Sequence, residues 1–224
     1  MKRITAVSIY AIAMGYLEAA VVIYLRLMEF GDPAHVFPMK LLGSQTGIIE
    51  LGREIVTIVM LGVIGLLAGK SRLQKCMYFI FSFAIWDLTY YIFLRMLTGW
   101  PPSLFSFDVL FLVPVVWIGP VAAPILIAIL LLVFSSSMIL ISERNLELKI
   151  GIGNISIFGL SCIIILFSFT REIFHILLSD GPKGLDNYSP RSFEWMTFGV
   201  GFVLMCFSAG KIVMDSYQKW YPKR

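Results

Sequence analysis

The stretch GIIELGREIVTIVMLGVIGLLAG, residues 47–69, decides how this chain is read. From Ile55 onward it is a run suited to hydrocarbon. Its opening nevertheless holds Glu50, Arg53 and Glu54, and each such charge costs a few kcal/mol at membrane depth. The apolar part cannot serve as a span by itself. Residues 55–69 reach about 22 Å at roughly 1.5 Å per residue, against a hydrocarbon core of roughly 30 Å. On a helix, Glu50, Arg53, Glu54 and Thr57 stand at i, i+3, i+4 and i+7 and therefore share one face. The spacing predicts that this face turns inward in a bundle, with Arg53 neutralising one glutamate while the other finds a partner or a proton.

The composition supports that setting. The chain has 224 residues, 58% hydrophobic and only 14% charged, with a mean hydropathy of +0.86. A soluble domain carries about 25% charged residues. Apolar runs long enough to span a bilayer fall at residues 4–27, 48–68, 76–97, 117–141, 152–178 and 193–217. The fold class expected is an all-α membrane protein, a single integral domain built as a six-transmembrane-helix bundle. Between the third and fourth spans, SLFSFDVLFLVPVV (residues 103–116) is apolar but short and ends beside a proline. It reads as an interfacial or re-entrant segment, shielded from lipid because its backbone is not helical. The start MKRITAVSIYAIAMGYLEA has the form of a signal peptide, but its apolar run continues to Leu27 and reads as a retained first span.

The net charge of +4 does not point to nucleic acid. The basic residues sit in short loops rather than in a stripe with interleaved aromatics. MKR at the start, KSRLQK, SERNLELK and the tail KWYPKR fall on one side of the bundle, so both termini are expected in the cytoplasm, beneath the plasma (inner) membrane of a prokaryote. Cys76, Cys162 and Cys206 are odd in number and lie inside apolar runs, which predicts small buried hydrophobes.

The acids gather toward the opposite side. YLEAAVVIYLRL (residues 16–27) and IWDLTYYIFLRM (residues 85–96) each place an arginine eight residues after an acid: Glu18 to Arg26, Asp87 to Arg95. Both acids are expected at mid-depth and both arginines about 12 Å nearer the outside. Tyr90 and Tyr91 follow Asp87 on its helix. Asp108 lies in the apolar connector, and Arg171, Glu172 and His175 end the fifth span. A carboxylate at mid-depth is too short to snorkel to water and is functional by default. The expected outward-facing pocket has Glu18, Asp87, Glu50, Glu54 and Tyr91 as catalytic groups. Arg26, Arg53, Arg95, Tyr90, Asp108 and His175 are the substrate-binding groups.

Clustered carboxylates beside arginines and tyrosines suit acid–base chemistry on a lipid-like or prenyl-like substrate, with the rim arginines gripping an anionic head. No cofactor is called for. Only two histidines occur, and no HExxH or DxxD motif appears, although a divalent metal held by Glu18, Glu50, Glu54 and Asp87 alone stays open. The alternative is the substrate-capture subunit of a vitamin or cation transporter, and a structural membrane subunit is a third reading. The partners expected are the lipid bilayer, an amphiphilic or cationic small molecule, and membrane partner subunits.

The segments EAAVVIYLR, ELGREI, WDLTYYIFL and GWPPSLFSFDVLFLVPVVWIGP resemble a group of prokaryotic polytopic membrane proteins of unassigned function, over residues 18–120. That resemblance implies a distinct fold and no activity. The span count and topology look like the capture subunits of energy-coupling-factor transporters. The WD-x-x-Y-Y element looks like the acid-plus-aromatic helices of membrane-bound terpene cyclases.

Overall fold

The computed structural model describes residues 2–40, 43–113, 115–143 and 151–218. Met1, the basic part of SERNLELK after Glu143 and the tail KWYPKR, all used above for orientation, lie outside the described residues. Six helices are each long and apolar enough to cross a membrane: α1 (Lys2–Phe30), α2 (Ser44–Ala68), α3 (Arg72–Thr98), α4 (Ala122–Glu143), α5 (Ile152–Ser179) and α6 (Trp195–Gln218).

Helix α2 is inside-out relative to a helix of a soluble protein. Glu50, Glu54, Thr57 and Leu61 are buried, while Ile48, Ile49, Val56, Val59 and Leu67 are exposed. An apolar outer face is at no disadvantage in lipid, so the burial pattern follows the polar groups rather than the apolar ones.

Helix α3 is the hub, packing against α1, α2 and α4. Its start is fixed by a capping box, in which Ser71 Oγ accepts from Gln74 N at 3.1 Å and Gln74 Oε1 accepts from Lys70 N at 2.7 Å. It ends at Gly99 in the left-handed conformation, φ 76°. The seam with α1 is tight: a Cβ at Gly15 would collide with Thr89 Oγ1 and stand 2.9 Å from the carbonyl oxygen of Trp86. Helix α6 bridges α4 and α5, and α5 meets the rest of the bundle chiefly through α6, a strand described next, and the 3-10 turn Pro182–Leu185. The helices thus form an arc from α2 through α3 and α4 to α6 and α5.

The connector between α3 and α4 is an antiparallel hairpin of β1 (Phe107–Phe111) and β2 (Trp117–Pro120), pairing Phe107 with Pro120 and Phe111 with Trp117, with a bulge between Val109 and Phe111. It corrects the fourth span, expected from residue 117: the helix begins only at Ala122, and Trp117–Pro120 is strand. Gly119 is pressed against the Phe169 ring, whose carbons would lie 2.8 Å from any Cβ there. Backbone bonds from Val121 N to Ser106 O (3.0 Å) and Ala122 N to Leu104 O (2.7 Å) satisfy the entry to α4.

The cysteines also differ from expectation. Cys76 and Cys162 are exposed and Cys206 is half-buried, so none is a core residue. A thiol is small and weakly polar, so exposure on an apolar helix costs it little.

Candidate functional site

A cavity of about 510 Å³ runs along the inside of the arc, bounded by all six helices and the hairpin. This is the size range of small-molecule sites, roughly 300–1,000 Å³. One end is charged, carrying Glu18, Arg26, Glu29, Lys40, Glu50, Arg53, Glu54, Asp87 and Asp108 with Tyr90 and Tyr91. The other end is apolar, with Phe83, Phe111, Ile127, Leu131, Phe158 and Leu166 on its walls.

Two ionic centres organise the charged end. Arg53 is the first. Its Nε and Nη2 donate to Glu50 Oε2 and Oε1 at 3.0 and 2.6 Å, a bidentate grip one turn away on α2. Its Nη1 donates to Glu18 of α1, and Glu54 lies 3.9 Å from Nη2. Glu18 also accepts from Thr57 Oγ1 at 3.4 Å. Glu54 turns toward the hairpin, where both its oxygens accept from Leu112 N at 2.9 and 3.2 Å.

The second centre joins α1, α3 and β1. Arg26 Nη2 donates to Asp108 Oδ1 at 3.0 Å, and its guanidinium lies 4.1 Å from the centroid of a Trp100 ring. Tyr91 donates to Asp108 Oδ2 at 3.4 Å, and Val109 N donates to Oδ1 at 3.0 Å. Asp108 is 1% exposed, so this pair is screened from water.

Three features are left over. Asp87 lines the cavity, is half-buried and makes no hydrogen bond or ion pair among the described residues; the charges felt by it are the acids Asp108 and Glu18. The Nη1 of Arg26 and the Nε1 atoms of Trp86 and Trp117 are buried donors with no partner among the described residues, and all three residues line the cavity. Buried donors are paired in the great majority of cases, so these three stand apart from the other polar groups of the lining.

Nine of the eleven sequence-predicted residues line this one cavity: Glu18, Arg26, Glu50, Arg53, Glu54, Asp87, Tyr90, Tyr91 and Asp108. Arg95 and His175 do not, and the expectation that they join the pocket is corrected. Arg95 is exposed and turns back to the end of its own helix, donating to the carbonyl oxygens of Gly99 and Pro101. Eight residues on a helix leave about 80° between side chains at 3.6 residues per turn, enough for one arginine to turn in and its counterpart to turn out. His175 is exposed in a separate cleft of about 210 Å³ with Arg171, Glu172, Tyr188 and Glu194. There Arg171 pairs with Glu194, and burial together with the neighbouring Glu172 pushes the Tyr188 hydroxyl above its ordinary range.

Sequence reasoning missed the indoles. None of Trp86, Trp100 and Trp117 is among the groups expected from the sequence, yet Trp86 and Trp117 line the cavity and Trp100 stacks on Arg26. Among the described residues no three carboxylate, imidazole or thiol groups stand together as ligands of one ion. The guanidinium of Arg53 reaches Glu18, Glu50 and Glu54, three of the four acids considered for a carboxylate-only metal.

No protein family, curated protein or solved structure matches the chain.

Proposed function

We propose that the chain is a multi-pass protein of a prokaryotic plasma membrane and that its cavity is the site of a membrane-embedded enzyme acting by acid–base chemistry on a lipid-like or prenyl-like substrate. The supporting observation is the division of one cavity into a charged end and an apolar end, which suits a molecule with a polar head and a hydrocarbon tail. Asp87 is the group proposed to exchange a proton with such a substrate: it and Glu29 are the cavity acids without a side-chain partner among the described residues, while Glu18 and Glu50 are engaged by Arg53, Glu54 by Leu112 N and Asp108 by Arg26.

Orientation rests on the positive-inside rule. Arg3 of α1 donates to the carbonyl oxygen of Ala68 at the end of α2, at 3.1 Å, so the basic N-terminus and the KSRLQK loop share one end of the bundle. With that end cytoplasmic, the charged end of the cavity faces outward and the hairpin is a re-entrant piece closing it.

The test is purification from the native membrane in mild detergent, extraction of retained lipids and their identification by mass spectrometry. Incubation with the identified species should then yield product with the protein alone, and Asp87→Asn should abolish turnover. Absence of any retained amphiphile would sink the reading. A second reading, capture subunit of a transporter, is favoured by the same engagement, which takes Glu18, Glu50, Glu54 and Asp108, four of the six cavity carboxylates, out of acid–base use. It requires an ATPase and membrane partners to co-purify in fixed ratio, and no product to form.

A further inference from the structure

The cavity comes to the surface at two places. Of its lining residues, only Lys40 and Cys162 are exposed among those described, and the rest are buried or half-buried. Lys40 belongs to the charged end. Cys162 belongs to the apolar end, on α5, about 15 Å from Ile152 and about 25 Å from Ser179 along a helix rising roughly 1.5 Å per residue. We infer that the mouth at Cys162 opens sideways into the hydrocarbon of the bilayer, between α2 and α5, and that its occupant is the hydrocarbon chain of the amphiphile, which enters there. The inference rests on the reading of the cavity as an amphiphile site and adds the route by which that site is reached.

The opening follows from how the arc ends. Helix α2 packs on α3 and more lightly on α1, whereas α5 packs on α6, β2 and the 3-10 turn, and among the described residues no packed seam joins α2 to α5. The hairpin bridges this interval at one level. Glu54 of α2 accepts from Leu112 N at 2.9 Å, and on the other side the Trp117 ring stacks on Phe169 of α5 with centroids 6.4 Å apart. Phe169 stands two turns beyond Cys162 toward Ser179, about 10 Å, so the mouth lies past the bridge, toward Ile152. Its rim is apolar and thinly furnished. Phe158 and Leu166, one turn to either side of Cys162, are cavity walls, and a Cβ at Gly159 would meet nothing within 4 Å.

The mouth at Lys40 suits a chain poorly. The segment leading to it is clipped to the loop before α6: Met39 N donates to Tyr188 O and Asn187 N to Met39 O, both at 2.8 Å. The Met39 side chain is buried with Ile118, Ile173 and Leu185. The Lys40 ammonium donates to the Glu29 carbonyl oxygen at 2.5 Å and lies 5.0 Å from the centroid of the Phe30 ring, and both residues line this end. A hydrocarbon chain entering here would leave the bilayer for water and pass charged groups, and every methylene exposed on the way is disfavoured. At Cys162 it passes from hydrocarbon directly to an apolar wall.

The experiment uses the full chain in phosphatidylcholine nanodiscs, with dodecan-1-ol carrying a diazirine at its chain end as the probe. Samples are irradiated at successive times after the probe is added, and labelled residues are located by mass spectrometry. Label should appear on Phe83 of α3 and Leu131 of α4, walls of the apolar end. Cys162→Trp, whose indole fills the mouth, should slow that labelling at least about fivefold. Cys162→Leu should slow it less, and serves the same purpose if the tryptophan variant does not fold. Ile163→Trp adds the same bulk at the next residue, which is exposed but no part of the lining, and should leave the rate unchanged. Equal rates of labelling at Phe83 and Leu131 in all four proteins overturn the sideways route and leave the amphiphile site standing. Label confined to outward residues such as Val59 and Val133 overturns both, and a dimer in the nanodisc would then put a second copy in the interval between α2 and α5.

Discussion

Arg26 and Asp108 lie 82 residues apart in the chain and 3.0 Å apart in the fold, and this contact ties the end of the first helix to the first strand of the hairpin. Both partners are buried, at 6% and 1% exposure. Removing one charge from such a pair strands the other, which is far more costly than removing both. Arg26→Leu and Asp108→Leu should each lower stability by about 3 kcal/mol. The double variant should recover most of that loss. Thermal unfolding in detergent across the four proteins gives the coupling, and a double variant whose loss equals the sum of the two single losses would show that the contact contributes nothing.

Asp87 and Glu18 should respond in opposite senses to neutralisation. Glu18→Gln weakens the bonds from Arg53 and Thr57 and should destabilise the protein by about 1–3 kcal/mol. Asp87→Asn removes a charge whose charged neighbours are acids, so unfolding temperature should hold or rise. A fall for Asp87→Asn comparable to that of Glu18→Gln would place an ion-pair partner on Asp87.

The α1–α3 seam predicts an unusually sensitive glycine. Gly15→Ala drives a methyl group into Thr89 Oγ1 and against the Trp86 carbonyl, and overpacking of this kind costs about 1–3 kcal/mol. Adding Thr89→Ala should restore part of the loss, since it clears the hydroxyl and leaves the carbonyl in place. Unfolding curves that show no loss for Gly15→Ala would mean the two helices are further apart than described.

Glu54 holds the hairpin by one backbone donor. Glu54→Leu should release Leu112 N, and its amide hydrogen should exchange at least about tenfold faster, the equivalent of about 1.4 kcal/mol of local stability. Glu54→Gln keeps an acceptor oxygen and should retain most of the protection. Identical exchange in wild type and Glu54→Leu would remove this tether from the account.

The helices were legible because long apolar runs have few alternatives, and the inward face of α2 was legible because four polar residues at helical spacing can share only one side. The hairpin was not. VLFLVPVVWIGP is apolar throughout, so it offers neither the alternation of a half-buried strand nor the period of a helix, and what shapes it are Glu54, Phe169 and the Arg26 that holds Asp108, all remote in sequence. Arg26 and Arg95 looked equivalent for the same reason. The motif that carries them is alike, but Asp108 and Trp100 draw one inward while the end of α3 draws the other to its own carbonyls. The unpaired indole of Trp86 had no sequence signal at all, because a missing partner is visible only when every neighbour has been placed.

The glycine contact between α1 and α3 also has a mechanical meaning. Helices in backbone-to-side-chain contact cannot slide or roll past one another, so α1, α2 and α3, which carry six of the charged groups, move as a block. The pair α5–α6 is joined to that block mainly through α4 and the hairpin, and it bears much of the apolar wall. Compliance is therefore distributed unevenly. On the proposed reading, entry of a long molecule is expected on the α5–α6 side, where the attachment is sparser, rather than between the helices that hold the guanidinium and carboxylate groups.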